Sequence, residues 1–118
     1  MNRIRLIAHE QKQILLVDCS GCAAAEMFAI IDEVPKHVRK YPRESVLLLG
    51  DFSNAEFNRD VVERLKVATV FDRPHLKRSA WVLTANLPPV LYESIKTFSG
   101  RELPIFATRE QALAYLIG

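Results

Sequence analysis

The residues best equipped for chemistry in this chain are two cysteines, three histidines and the aspartates that close its apolar runs. Cys19-Ser20-Gly21-Cys22 is a C-x-x-C at the point where an apolar run gives way to a helical pattern. A helix N-terminus lowers a thiol pKa, so the spacing admits a thiol redox protein that uses Cys19 and Cys22. No Trp precedes Cys19, and the small residues at 22–25 suit a tight turn on Gly21 with helix packing behind it. Metal chemistry has less to stand on: His9, His37 and His75 show none of the spacing that would add ligands to a cysteine pair. No metal or other cofactor is expected.

Asp18, Asp51 and Thr84 each follow an apolar run, which raises the possibility of a phosphoacceptor receiver domain. That chemistry needs an extra acid and a cation to compensate the phosphoryl charge, and no lysine precedes Pro104. Aspartates at strand ends also cap the turns that follow them. Phosphate loops and dinucleotide fingerprints are absent, because no two of the four glycines are close enough to build one. No catalytic residue is assigned.

Two basic patches remain. Lys36, His37, Arg39, Lys40 and Arg43 close a predicted helix, where cations complement the negative end of its dipole. Arg73, His75, Lys77 and Arg78 open a segment without acidic residues from Arg73 to Tyr92, which could meet an anion or an acidic partner. Nucleic acid is not expected: 16 Lys+Arg against 14 Asp+Glu leave only +2, and no recognised motif or stacking platform accompanies the patches.

The elements that must position these groups follow from periodicity. Ile4–Ala8 and Ile14–Val17 read as strands joined through the polar turn at 9–12. Val46–Leu49 and Ala80–Leu83 are near-continuous apolar runs, as in strands covered on both faces. Leu103–Phe106 is a weaker strand, placed at an edge by Pro104. Met27, Ile30, Ile31, Val34 and Val38 form a helical stripe, which Pro35 should kink or break and Pro42 should follow. A second helix starts at the N-cap Asn58 and continues through Val61, Val62, Leu65 and Ala68. A third begins at Pro88-Pro89, turns Leu91, Ile95 and Phe98 inward and stops at Gly100. The fourth opens with the capping-box pattern of residues 108–111.

Strands alternating with helices make this an α/β protein. The expectation is a single domain over residues 1–118, with a mixed central sheet of about five strands and about four helices. At 118 residues and 49% hydrophobic content it has enough apolar material for one core. No stretch reaches the roughly 20 apolar residues of a membrane span, and two closely spaced cysteines are no secreted framework, so a cytoplasmic protein is expected. Right-handed crossovers would bring Asp18, Asp51 and Thr84 to one sheet edge, where open α/β sheets usually bind ligands.

Several strings together carry a family resemblance: Val17-Asp18-Cys19-Ser20-Gly21, Ser45-Val46-Leu47-Leu48-Leu49-Gly50-Asp51 and Pro74-His75-Leu76-Lys77-Arg78-Ser79-Ala80. Phe98-Ser99-Gly100-Arg101 and Phe106-Ala107-Thr108-Arg109-Glu110-Gln111-Ala112 belong with them. With these the chain resembles the bacterial STAS/SpoIIAA-like proteins, small domains related to anti-sigma-factor antagonists. The resemblance implies a STAS-like fold with helices mostly on one side of the sheet. It also implies a regulatory protein-interaction module whose partner contact is switched by phosphorylation of a serine at the start of the second helix. Here the expected Asp-Ser-Ser-Gly string is missing, Asp60 falls near the switch position and Ser53 is the nearest hydroxyl.

The resulting expectation is a non-catalytic module that docks another protein through Asp18, Ser20, Asp51, Ser53 and Asp60, with Lys77 and Arg78 as a basic rim. The alternative is a small carrier of an apolar or lipid-like molecule, since related proteins have been linked to lipid carriers by shape. It requires a hollow lined by Met27, Phe28, Phe57, Phe71 and Trp81. A homodimer is compatible with either.

Overall fold

A computed structural model describes residues 3–118. The strands are β1 (Ile4–His9), β2 (Lys12–Asp18), β3 (Val46–Asp51), β4 (Leu76–Val82) and β5 (Ile105–Phe106). The helices are α1 (Ala24–Val38), α2 (Arg59–Asp72), α3 (Pro89–Ser99) and α4 (Arg109–Ile117). The sheet order follows the chain, β1-β2-β3-β4-β5, with β1 antiparallel to β2 and all later pairs parallel. This is the expected α/β fold with a mixed sheet of five strands and four helices. No helix among the described residues is long and apolar enough to cross a membrane.

The β1–β2 hairpin turns at Glu10 and Gln11, both at positive φ (48° and 69°), the backbone of a two-residue turn whose twist matches the flanking strands. The central strands are apolar on both faces because helices cover both. Leu15, Val17, Leu48 and Trp81 pack beneath α1, α2 and α3, whereas Ile14, Leu16, Leu49, Ala80 and Val82 pack beneath α4. Every residue of β3 is buried. Gly50 lets two aromatic rings approach the strand: a Cβ there would lie 2.9 Å from the Phe52 ring and 3.1 Å from Trp81.

The helix boundaries are set by caps. Asn58 Oδ1 accepts the Val61 N–H at 2.8 Å, as its position predicts. Asn58→Ala is expected to cost about 1 kcal/mol of stability in denaturant titration, while Asn58→Asp should cost little. Gly100 closes α3 in the left-handed conformation at φ 65°. At α4, Thr108 Oγ1 accepts the Gln111 N–H, but Gln111 Oε1 reaches back to Ala107 rather than to the cap residue.

Three expectations need correction. Helix α1 does not break at Pro35, because Val34 and Val38 are held in the core and the ring falls in the last turn, where little helix remains to lose. Leu103 is a buried core residue ahead of β5, not part of it; that strand is only two residues long. Phe98 is 57% exposed, because Ile95 and the small Ser99 face the core in its place. The Lys66 ammonium lies over the Phe98 ring, 6.0 Å from its centroid.

Candidate functional site

Parallel pairing sets Asp18 of β2 beside Asp51 of β3 at the carboxyl edge of the sheet. Both begin the same turn. Asp18 Oδ1 accepts from the Ser20 amide at 3.1 Å and hydroxyl at 2.5 Å. Asp51 Oδ1 accepts from the Ser53 amide at 2.9 Å and hydroxyl at 2.6 Å. Two such Asx turns on neighbouring strands leave one oxygen of each carboxylate facing α4, and Arg109 takes both. Its Nε donates to Asp51 Oδ2, and its Nη2 lies 3.2 Å from Asp18 Oδ2. Arg3 adds a cation 3.7 Å from Asp18 Oδ1 and donates to the Ser20 carbonyl. Burial by itself would raise the Asp18 carboxyl, but the Ser20 hydrogen bonds and the Arg109 charge outweigh it and hold the group below its ordinary value.

The adjoining loops are equally occupied. Gly21 N–H donates to Ser53 O, Cys19 N–H to Asp51 O and Asn54 N–H to Thr84 Oγ1. Asn86 Nδ2 ties down the Phe52 and Ala55 carbonyls at 2.8 Å each. The expected surface at Asp18, Ser20, Asp51 and Ser53 is thus a closed network whose charges and donors serve one another. Asp60 stands apart on the exposed first turn of α2. Lys77 and Arg78 cannot rim these loops. The register pairs Arg78 with Leu47 and Val82 with Asp51, which puts the two cations about 13 Å away, toward the opposite edge.

Both cysteines are free and buried. Burial, together with the neighbouring Cys22 and Asp18, pushes the Cys19 thiol up to about 12, and burial also raises Cys22. The helix that was to activate them starts only at Ala24, and its first amides are already taken by the Glu26 and Glu56 carboxylates. In the folded protein at pH 8 a disulfide reagent should therefore modify Cys19 on the order of 10³-fold more slowly than an unfolded thiol. Rapid labelling of Cys19 without denaturant would contradict that assignment.

The hollow required of a carrier is not formed by its expected residues. Met27 and Trp81 are buried, Phe28 and Phe57 are half-buried against the core, and Phe71 is 67% exposed. A different hollow lies under α1 and α2, bounded by Trp81, Leu65, Asp72 and Arg101, with a volume of about 40 Å³. Ligand pockets start at roughly 300 Å³, so this one takes nothing of lipid size. Its notable wall is Asp72, 6% exposed, whose Oδ1 has no hydrogen-bond partner among the described residues. Burial pushes that carboxyl up to about 7 against the pull of the Arg101 guanidinium.

A larger concavity lies near the amino ends of β3 and β4. This groove of about 570 Å³ is lined by Arg43, Arg73, Lys77, Arg78 and Arg101, with Glu44 and Glu102 as its only acids. Among the described residues none of these five cations has a carboxylate within ion-pair distance. Their fixed contacts are neutral: Arg73 donates to Ser99 O, Arg78 to Tyr115 O at 2.8 Å, and Arg101 to Ser79 Oγ. Lys77 is the extra residue of a β-bulge, since Val46 pairs with Leu76 and Leu47 with Arg78. Arg78 therefore faces α4 while Ser79 and Arg101 lie on the other side of the sheet.

The fold joins Arg43 from one basic patch to Arg73, Lys77 and Arg78 from the other and adds Arg101. Sequence reading singled out neither Arg101 nor Arg109. Arg109 is hidden inside a capping pattern, and Arg101 is a single arginine after a helix-stopping glycine; only the tertiary structure gives either a role. Compared with known proteins, the chain matches no family model, no curated protein and no solved structure. The class defined by the fold and this surface is an α/β domain with a mixed five-stranded sheet and a basic groove.

Proposed function

We propose that this protein is a non-catalytic interaction module, of the regulatory kind implied by the STAS/SpoIIAA resemblance, and that it docks an acidic partner protein in the basic groove. One observation carries this reading: Arg43, Arg73, Lys77 and Arg78 line one groove with no ion-paired carboxylate, beside an Arg101 that faces the buried Asp72, while the aspartates at the other end of the sheet are neutralised by Arg109 and Arg3. Uncompensated charge gathered in a concave surface concentrates an oppositely charged partner and speeds its encounter. The docking surface accordingly moves from the strand-end loops to the opposite edge, with Lys77 and Arg78 at its centre. Two buried free thiols suit a reducing compartment, so we place its action in the bacterial cytoplasm.

The test is fluorescence anisotropy with a labelled peptide of alternating glutamate and valine. Binding should weaken steeply with added salt. The double variant Arg43→Glu/Lys77→Glu should lower affinity by about tenfold or more. Both side chains are exposed and unpaired, so the thermal midpoint should stay within a few degrees of the parent's. Equal affinity of parent and variant would overturn the proposal.

A further inference from the structure

Strand β4 is seven residues long, yet β5 pairs with it only at Trp81 and Val82. From Leu76 to Ala80, about 13 Å of strand, no strand pairs with the side away from β3, where the Arg101 side chain reaches Ser79. Trp81 N–H donates to Pro104 O and Leu83 N–H to Phe106 O on that side. Main-chain groups alternate along a strand, so the Ser79 amide points the same way, with no strand to meet it. The chain leaves α3 at Gly100 and reaches β4 through the Arg101 side chain at Ser79 and the Pro104 carbonyl at Trp81, so it pairs no main chain with residues 76–80. Lys77, Arg78, Ser79, Gly100 and Arg101 line the basic groove, so the groove and the open edge are one place.

We propose that the groove takes its partner as an added strand: an extended acidic protein segment pairs along β4 from Leu76 to Ala80. This rests on the groove being the docking surface and adds how the partner is held. The main chain of such a segment supplies both the acceptors and the donors that an open edge requires. Its side chains project alternately to the two faces of the sheet, and cations wait on both. Arg78 stands on the α4 face, and Arg101 on the face of α1 and α2. A nucleic-acid backbone offers acceptors only and leaves the edge carbonyls unmet. A second copy of this chain would bring the same basic edge, and a bulged lysine beside like charges opposes that pairing.

Two probes separate the binding mode from the binding itself. One is the glutamate–valine peptide, and the other is the same peptide N-methylated at every internal residue, which keeps its charge and removes its donors. Strand addition predicts that the first slows hydrogen exchange of the Ser79 amide by about tenfold or more, and that methylation weakens binding by a similar factor. If the methylated peptide binds equally well and Ser79 exchange is unchanged, strand addition is wrong while the docking surface stands. If neither peptide binds, the docking reading falls with it. A hexathymidylate that displaces the plain peptide at equal concentration would assign the groove to nucleic acid and overturn the proposal.

Discussion

Arg109→Ala should lower the unfolding free energy by about 3 kcal/mol, a large fraction of what a domain this size has to lose. The substitution leaves the Asp51 carboxylate, 3% exposed, beside the Asp18 carboxylate with no cation between them. Removing one partner of a buried ion pair costs more than the pair contributes, because the remaining charge stays desolvated. Arg109 itself is partly exposed, which keeps the expected loss at the lower end of the range for buried pairs. In thermal unfolding this amounts to a drop of roughly 10–15 °C. Arg109→Lys keeps the charge but not the fork that spans two carboxylates, so it should recover only part of the loss. In an Asp51→Asn background Arg109→Ala should cost clearly less, because the two residues are coupled. A loss of under 1 kcal/mol in the parent background would mean that the strand-end cluster does not bind the sheet to α4.

Asp72→Asn should have a large effect of opposite sign, growing from about pH 4 and complete above neutral pH. A carboxyl pushed up to about 7 in the folded chain, against an ordinary value of 3.8, binds a proton more tightly folded than unfolded. Between those values the folded state holds the extra proton, so Asp72's share of stability falls as pH rises from about 4 to 7. Above 7 the folded protein bears the full cost of a buried, under-bonded carboxylate that only Arg101 relieves. Asparagine does not ionise. The variant should therefore be more stable than the parent by about 2–4 kcal/mol at pH 8, by roughly a third of that at pH 5, and close to it at pH 4. Asp18 has the reverse sign, since a depressed carboxyl contributes above pH 4 and is lost in acid. Denaturant titrations of the parent and Asp72→Asn at these pH values measure the difference directly. Equal stability of the two proteins at pH 8 would show that Asp72 finds another partner or reaches water.

How much of this was legible in the sequence depended on whether the signal was local. Asn58, Gly100 and the Met27–Val38 stripe act through near neighbours in the chain, so their spacing was enough. The strand-end position of Asp18 and Asp51 followed from the apolar runs before them. Their role did not, because Arg109 lies 58 residues from Asp51. The basic pair lies at the opposite edge from the one expected, for a related reason. Lys77 and Arg78 open β4, whereas the apolar pattern marks only its second half, from Ala80, so the strand looked shorter and its start closer to Asp51. Phe98 and Phe71 are core candidates by type and spacing, but Ile95, Leu65 and Trp81 already fill the core and leave both exposed.

In the proposed mode, partners meet the basic groove and not the strand-end loops. Amide chemical-shift mapping with the glutamate–valine peptide tests it most directly, because both places are read in one titration. Shifts concentrated at residues 76–80 and 100–102, with Asp18, Ser20, Asp51 and Ser53 unmoved, are the predicted result. Shifts centred on the turns after Asp18 and Asp51, with the β4 edge silent, would contradict it.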